Sequence, residues 1–140
     1  MLRKLITYSV VLVAMTGCSS KYIGKDVTKI RANLCATGKS QCIYKTEYFD
    51  LNYNLKEISK NNYKLTGSVL WTNTDISGAY DKIERMQLKF IFMDETKVVE
   101  EESVYVRGYM YKEHDFETNI SGIPNIKNSL PVAYSYTITE

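Results

Sequence analysis

Phe49-Asp50-Leu51-Asn52-Tyr53-Asn54-Leu55-Lys56 sets four apolar side chains in strict alternation with four polar ones. Successive side chains of an extended chain point to opposite faces, so a period of two puts one face in a core and the other in water. Ser59-Lys60-Asn61-Asn62 follows as a polar turn cluster, after which Tyr63, Leu65, Val69 and Trp71 resume the alternation. Two such runs joined by a short polar turn spell an antiparallel hairpin. Gly67 falls in phase with the apolar set, where a glycine marks a bulge or a close approach of another segment.

The same pattern recurs downstream. Met86, Leu88, Phe90 and Phe92 alternate with Arg85, Gln87, Lys89 and Ile91, and Asp94-Glu95-Thr96-Lys97 turns the chain into a strand over 98–107. A further strand is predicted over 116–120. Pro124 and Pro131 punctuate the loop after it, and Val132, Tyr134, Tyr136 and Ile138 then alternate with Ala133, Ser135, Thr137 and Thr139. Residues 72–81, with Asn73, Asp75, Ser77 and Gly78, read as a longer loop. No strand is followed by a long helical pattern, which excludes a parallel α/β sheet. Twelve tyrosines and four phenylalanines against two prolines fit a β-rich chain and not a disordered one. The expected fold is all-β, an antiparallel immunoglobulin-like β-sandwich over residues 44–140 with a small β-barrel as the alternative. Trp71 and Phe90 are expected to face its interior.

Residues 64–106 also resemble the bacterial FxLYD-type domains, through Gly67-Ser68-Val69, Asn73, and Phe90-Ile91-Phe92-Met93-Asp94 followed by Val98-Val99. Phe116 stands about where such domains carry a phenylalanine, whereas Trp71 and the lack of a glycine after Asp94 depart from the pattern. The resemblance implies a small immunoglobulin-like module on an exported protein and transfers no catalytic residue.

The chain opens differently. Met1-Leu2-Arg3-Lys4 is basic, residues 5–15 are apolar apart from Thr7, Tyr8 and Ser9, and Met15-Thr16-Gly17-Cys18-Ser19-Ser20 closes the segment with small residues. That order is a secretory signal, and the run is about half the ~20 apolar residues that span a bilayer as a helix. It resembles the signal of bacterial lipoprotein precursors, with Met15 in place of the usual leucine of the lipobox. The resemblance implies cleavage of residues 1–17, acylation of Cys18 as the new first residue, and a lipidated tether over 18–43. Ser19 resembles the sorting residue of lipoproteins sent to the outer membrane of enteric-type bacteria. The expected location is therefore the periplasmic face of the outer membrane, with the cell surface as the alternative.

Two cysteines remain, Cys35 and Cys42, and an even pair in an exported chain reads as a disulfide. A metal or redox pair is the competing reading, but no second cysteine pair or histidine cluster supports it. Between them, Gly38-Lys39-Ser40 ends like a phosphate-binding loop, yet Asn33 stands where that motif needs its first glycine. Upstream, Asp26 caps an expected helical turn in which Val27, Ile30 and Leu34 recur.

Of 18 Lys and Arg, Arg3 and Lys4 leave with the signal, so 16 basic residues face 16 acidic ones in the processed chain. That balance does not favour nucleic acid, which calls for a concentrated basic face. It also leaves membrane attachment to the lipid.

His114, the single histidine, reads as a solvated loop residue with no ligand partner at metal spacing. No serine sits in a nucleophile-elbow motif. Glu100-Glu101-Glu102 diverge to alternate faces of a strand and read as a solvated edge protected against mispairing. Tyr109 and Tyr111, beside Arg107, lie outside clean alternation and are the candidate partner-binding residues, with core packing as the other reading. No catalytic residue, metal or cofactor is expected. The reading is a non-catalytic binding or assembly subunit of an envelope complex, its partners the membrane through the lipid and another envelope protein. A small-ligand or glycan-binding module is the alternative, and an envelope hydrolase the least supported.

Overall fold

The computed structural model describes residues 5–11, 22–26, 33–72, 83–107 and 113–139, and every regular element among them is a strand. In chain order these are β1 (Leu5–Val11), β2 (Cys35–Ala36), β3 (Cys42–Lys45), β4 (Phe49–Ser59), β5 (Asn62–Trp71), β6 (Ile83–Met93), β7 (Val98–Arg107), β8 (His114–Ser121) and β9 (Asn128–Thr139). One sheet runs β1-β9-β6-β7, with β2 also on β9, and the other runs β3-β4-β5-β8. All the pairings are antiparallel. The fold is an antiparallel β-sandwich and not the closed barrel. Residues 27–32, where the helical turn behind Asp26 was expected, and Asn73 to Gly78 of the predicted loop lie outside the described residues. Asp26 itself makes an isolated bridge to Lys97.

The founding hairpin pairs Phe49 with Trp71 at its open end and Ser59 with Asn62 at its turn. Asn61 takes a left-handed φ of 62° there, a conformation asparagine tolerates better than most residues. Gly67 sits between Tyr53 and Phe116 without a register shift, so it marks a close approach and not a bulge. A Cβ at this position would collide with the Asn52 carbonyl oxygen and the Phe116 ring. The β6–β7 turn needs no glycine, because Asp94 Oδ1 accepts the backbone N–H groups of Thr96 and Lys97, each at 2.8 Å. Those two hydrogen bonds hold its carboxyl below the usual range.

Between the sheets lies an aromatic core. Phe90 is fully buried, edge-on to Tyr53 at 5.3 Å and tilted against Phe116 at 6.0 Å. Toward the open end of the hairpin, Phe49 meets Tyr134 edge-on at 4.9 Å. Trp71 stacks on Tyr48 and Phe49 and meets Tyr136 edge-on. Burial, with the neighbouring Tyr48, Tyr136 and Glu47 adding to it, pushes the Tyr134 phenol up to about 12.

A second, smaller core covers the outer face of the five-stranded sheet. Ile91, assigned to the polar phase of its strand by alternation, is instead fully buried there with Met93, Val98, Leu130 and Val132. What covers them is the segment ahead of the sandwich: Tyr22 is 1% exposed among these residues, and Leu34 packs at the margin.

The Cys35–Cys42 disulfide forms, with Cα atoms 5.9 Å apart. Cys35 lies in β2 on the five-stranded sheet and Cys42 in β3 on the four-stranded one, so the bond staples the two layers. The loop it closes is tied to both sides as well. Thr37 N–H donates to the Lys127 carbonyl, and Gly38 N–H, at a φ of 89°, donates to the Leu55 carbonyl. An amide spent on Leu55 is not offered to a phosphate, which disposes of the phosphate-loop reading.

Thiol labelling of the purified protein under non-reducing denaturation is expected to modify neither residue. The Cys35→Ala, Cys42→Ala double variant should lose about 2.5 kcal/mol in chemical denaturation, the chain-entropy value for a short loop. Two freely labelled thiols in freshly isolated protein would contradict the bond.

Candidate membrane-facing and partner-binding surfaces

Cys18, Tyr109 and Tyr111 lie outside the described residues. Arg107 ends β7, is exposed, and stands opposite Arg85, also exposed, so the strand end next to Tyr109 is cationic.

Tyr22 is the described residue nearest in the chain to Cys18, the expected acylation site. Three residues separate it from Cys18, and a chain advances at most ~3.3–3.6 Å per residue, so those four steps of chain can span no more than about 14 Å before the backbone of a residue whose side chain is buried in the outer core. Backbone hydrogen bonds fix the chain immediately after it. Gly24 N–H donates to the Val98 carbonyl at 2.8 Å, and Val98 N–H donates to the Lys25 carbonyl at 2.9 Å. Burial raises the Tyr22 phenol's pKa, and the nearby Glu101 carboxylate adds to the rise. Around this corner Ile23 is 46% exposed, and Lys25 and Lys97 are exposed beside the β6–β7 turn.

The glutamate run lies on edge strand β7 but is half-buried, not fully solvated. Glu100, Glu101 and Glu102 stand opposite Phe92, Ile91 and Phe90, and their side chains alternate between faces as strand geometry requires. Glu100 Oε1 accepts the Glu101 N–H at 2.9 Å. Desolvation, with Glu100 adding to it, raises the Glu102 pKa. His114 begins β8 opposite Val69 and is half-buried, so it belongs to an edge strand and not to a loop. Among the described residues no three His, Cys, Asp or Glu side chains are grouped to hold a metal.

Asn52 and Asn54 belong to the polar phase of β4, and Thr66 and Ser68 stand between the apolar residues of β5. Across the four-stranded sheet they line an open groove of about 580 Å³ together with Asp115 and Glu117. Gly67 forms its floor, and the disulfide loop supplies its rim through Ser40 and Gln41. Thr66 Oγ1 donates to Asn54 Oδ1 at 3.0 Å, and Asn54 Nδ2 donates to the Ser40 carbonyl at 3.2 Å. The aromatic rings nearest the groove, Tyr53 and Phe116, are buried, so it offers polar groups without a stacking platform. Comparison of the chain with protein families, curated proteins and solved structures returned no match.

Proposed function

We propose that this chain is a lipoprotein precursor whose processed form is held at the periplasmic face of the outer membrane and acts as a non-catalytic binding or assembly subunit of an envelope complex. The observation that carries the reading is the short span from Cys18 to the buried Tyr22. An acyl chain on Cys18 would hold the sandwich directly against the bilayer with the outer face of its five-stranded sheet near the lipid. Such a tether works by confinement, which raises the effective concentration of a membrane partner without any new contact. The surface offered to that partner is the end of β7, where exposed Arg107 leads into Tyr109 and Tyr111.

Affinity recovery from crosslinked envelopes is expected to bring down a defined envelope protein. Tyr109→Ala and Tyr111→Ala should cut that recovery several-fold and leave the melting temperature within a degree or so, the ordinary effect of a surface substitution. Variants that melt as badly as Trp71→Ala would assign the tyrosines to packing and remove this surface from the proposal.

The polar groove favours one second reading, a binder of a small hydroxyl-rich ligand such as a glycan unit. Elution by free saccharide with no protein partner recovered would support it over assembly.

A further inference from the structure

The sheet edges of this sandwich are not alike. β7 carries Glu100, Glu101, Glu102 and Arg107; β8 carries His114, Asp115 and Glu117; β3 is four residues long and ends in Lys45. Charge and shortness are the devices by which edge strands avoid pairing with other chains. The outer edge of β9 over Ala133-Tyr134-Ser135-Tyr136-Thr137-Ile138-Thr139 has neither, and no proline interrupts it. In the uncleaved chain β1 covers it, from Leu5 opposite Thr139 to Val11 opposite Ala133. β1 belongs to the segment that lipoprotein processing would remove, and β2 covers β9 only at Asn128 and Ser129.

We propose that the processed protein pairs through this edge with a second copy of itself, β9 against β9, about a two-fold axis at Tyr136. The inference rests on the lipoprotein reading, since cleavage is what uncovers the edge. The occupant is indicated by what β1 brings to the site. Along the pairing, Ile6 stands opposite Ile138, Thr7 opposite Thr137, Tyr8 opposite Tyr136 and Ser9 opposite Ser135. The leader strand thus carries the same four residue types as β9 in reverse chain order, and a second β9 centred on Tyr136 keeps the Tyr–Tyr pair and exchanges Ser and Thr on the other face. A second β9 arriving antiparallel sets Tyr136 against Tyr136, Ser135 against Thr137 and Tyr134 against Ile138. The hydroxyl residues then share one face and the large apolar ones the other, as cross-strand pairing favours.

The geometry also suits two copies in one membrane. Cross-strand partners point to the same face, so the two-fold stands perpendicular to the joined sheet and both outer faces look the same way. Tyr22 lies on that outer face, so the two Tyr22 side chains, each four positions after a Cys18, lie on one side of the joined sheet. Seven paired residues form roughly six to eight backbone hydrogen bonds, a modest interface that confinement in a plane reinforces.

The test uses the mature protein in its own membranes. A Ser135→Cys, Thr137→Cys variant, whose two cysteines face each other across the axis, is expected to run mostly as a reducible covalent dimer after mild oxidation. Tyr105→Cys, 57% exposed on the far edge strand β7, should stay monomeric under the same treatment. Wild-type protein in detergent should show twice the chain mass by native mass spectrometry, a readout independent of how the variants fold. The amino terminus is read from the same sample. A monomer that begins at residue 18 overturns the pairing and leaves the processing reading intact. A monomer that still carries residues 5–11 overturns both, and a β9 crosslink to a different protein overturns the second copy as occupant.

Discussion

Phe90→Ala is expected to cost about 3–5 kcal/mol, a large part of the roughly 5–15 kcal/mol that holds a domain of this size together. The ring is fully buried in the second half of β6, a central strand with β9 on one side and β7 on the other. Truncation removes its apolar area from the core and strips the Tyr53 and Phe116 rings of their shared neighbour. It also leaves a cavity that flat, hydrogen-bonded sheets cannot collapse to fill, which places the loss high in the range. Trp71→Ala removes more atoms from a more yielding place. Trp71 keeps 7% of its surface and lies at the open end of the hairpin, where half-buried Tyr48 and Tyr136 can shift toward the gap. Its loss is expected at or below that of Phe90, near 3 kcal/mol. Urea denaturation of the two variants beside the parent measures both, and a Phe90→Ala loss under 1 kcal/mol would show that the inter-sheet core is not packed as described.

The contrast shows which parts of the molecule its sequence made legible. Strands with one wet face announced themselves: the apolar members of β4 and β5 meet between the sheets, and β9 joins them from Tyr134 on, whereas Val132, in the same predicted phase, is turned to the outer core by a register shift against β6. The missed features are those whose cause lies far away along the chain. Ile91 and Met93 sit in the phase that alternation gives to solvent, and they are buried in an outer cluster that includes Tyr22, some seventy residues earlier. Cys42-Ile43-Tyr44-Lys45 is too short to carry a period and becomes a strand by pairing with β4. Which non-consecutive strands would pair, β8 with β5 and β9 with β6, is decided by packing of finished hairpins and leaves no local mark. The same holds for the candidate surfaces. The polar residues of the groove were visible as one face of a strand, but the concavity depends on the glycine floor and on a disulfide loop tied across from the other sheet. Cys18 is the reverse case: its proposed role is read from the sequence alone, and it lies outside the described residues.

The largest functional effect is expected at that residue. In the parent protein, mass spectrometry of the mature amino terminus should find a chain that begins at Cys18 with acyl mass added, and Cys18→Ser should lose the acyl mass entirely. The variant then either keeps residues 1–17 or is cut elsewhere, and in both cases leaves the outer-membrane fraction. The effect is expected to be all-or-none because no described residue supplies comparable membrane affinity. The acidic and basic residues of the processed chain balance, so net charge gives no general attraction to anionic lipid that would supplement an acyl chain. Ile23 is the one large apolar side chain exposed at the Tyr22 corner among the described residues, whereas an acyl chain contributes ~0.8 kcal/mol for each CH₂ it buries. The fold, by contrast, should not notice the change. Tyr22 stays in the outer core and Gly24 and Lys25 stay bonded to Val98, so the melting temperature of the variant should match the parent's. A parent chain that starts unmodified at any other residue would end the lipoprotein reading, and with it the location and the uncovered β9 edge. A Cys18→Ser protein that still sediments with the outer membrane after a high-salt wash would show instead that the sandwich holds the membrane by a surface of its own.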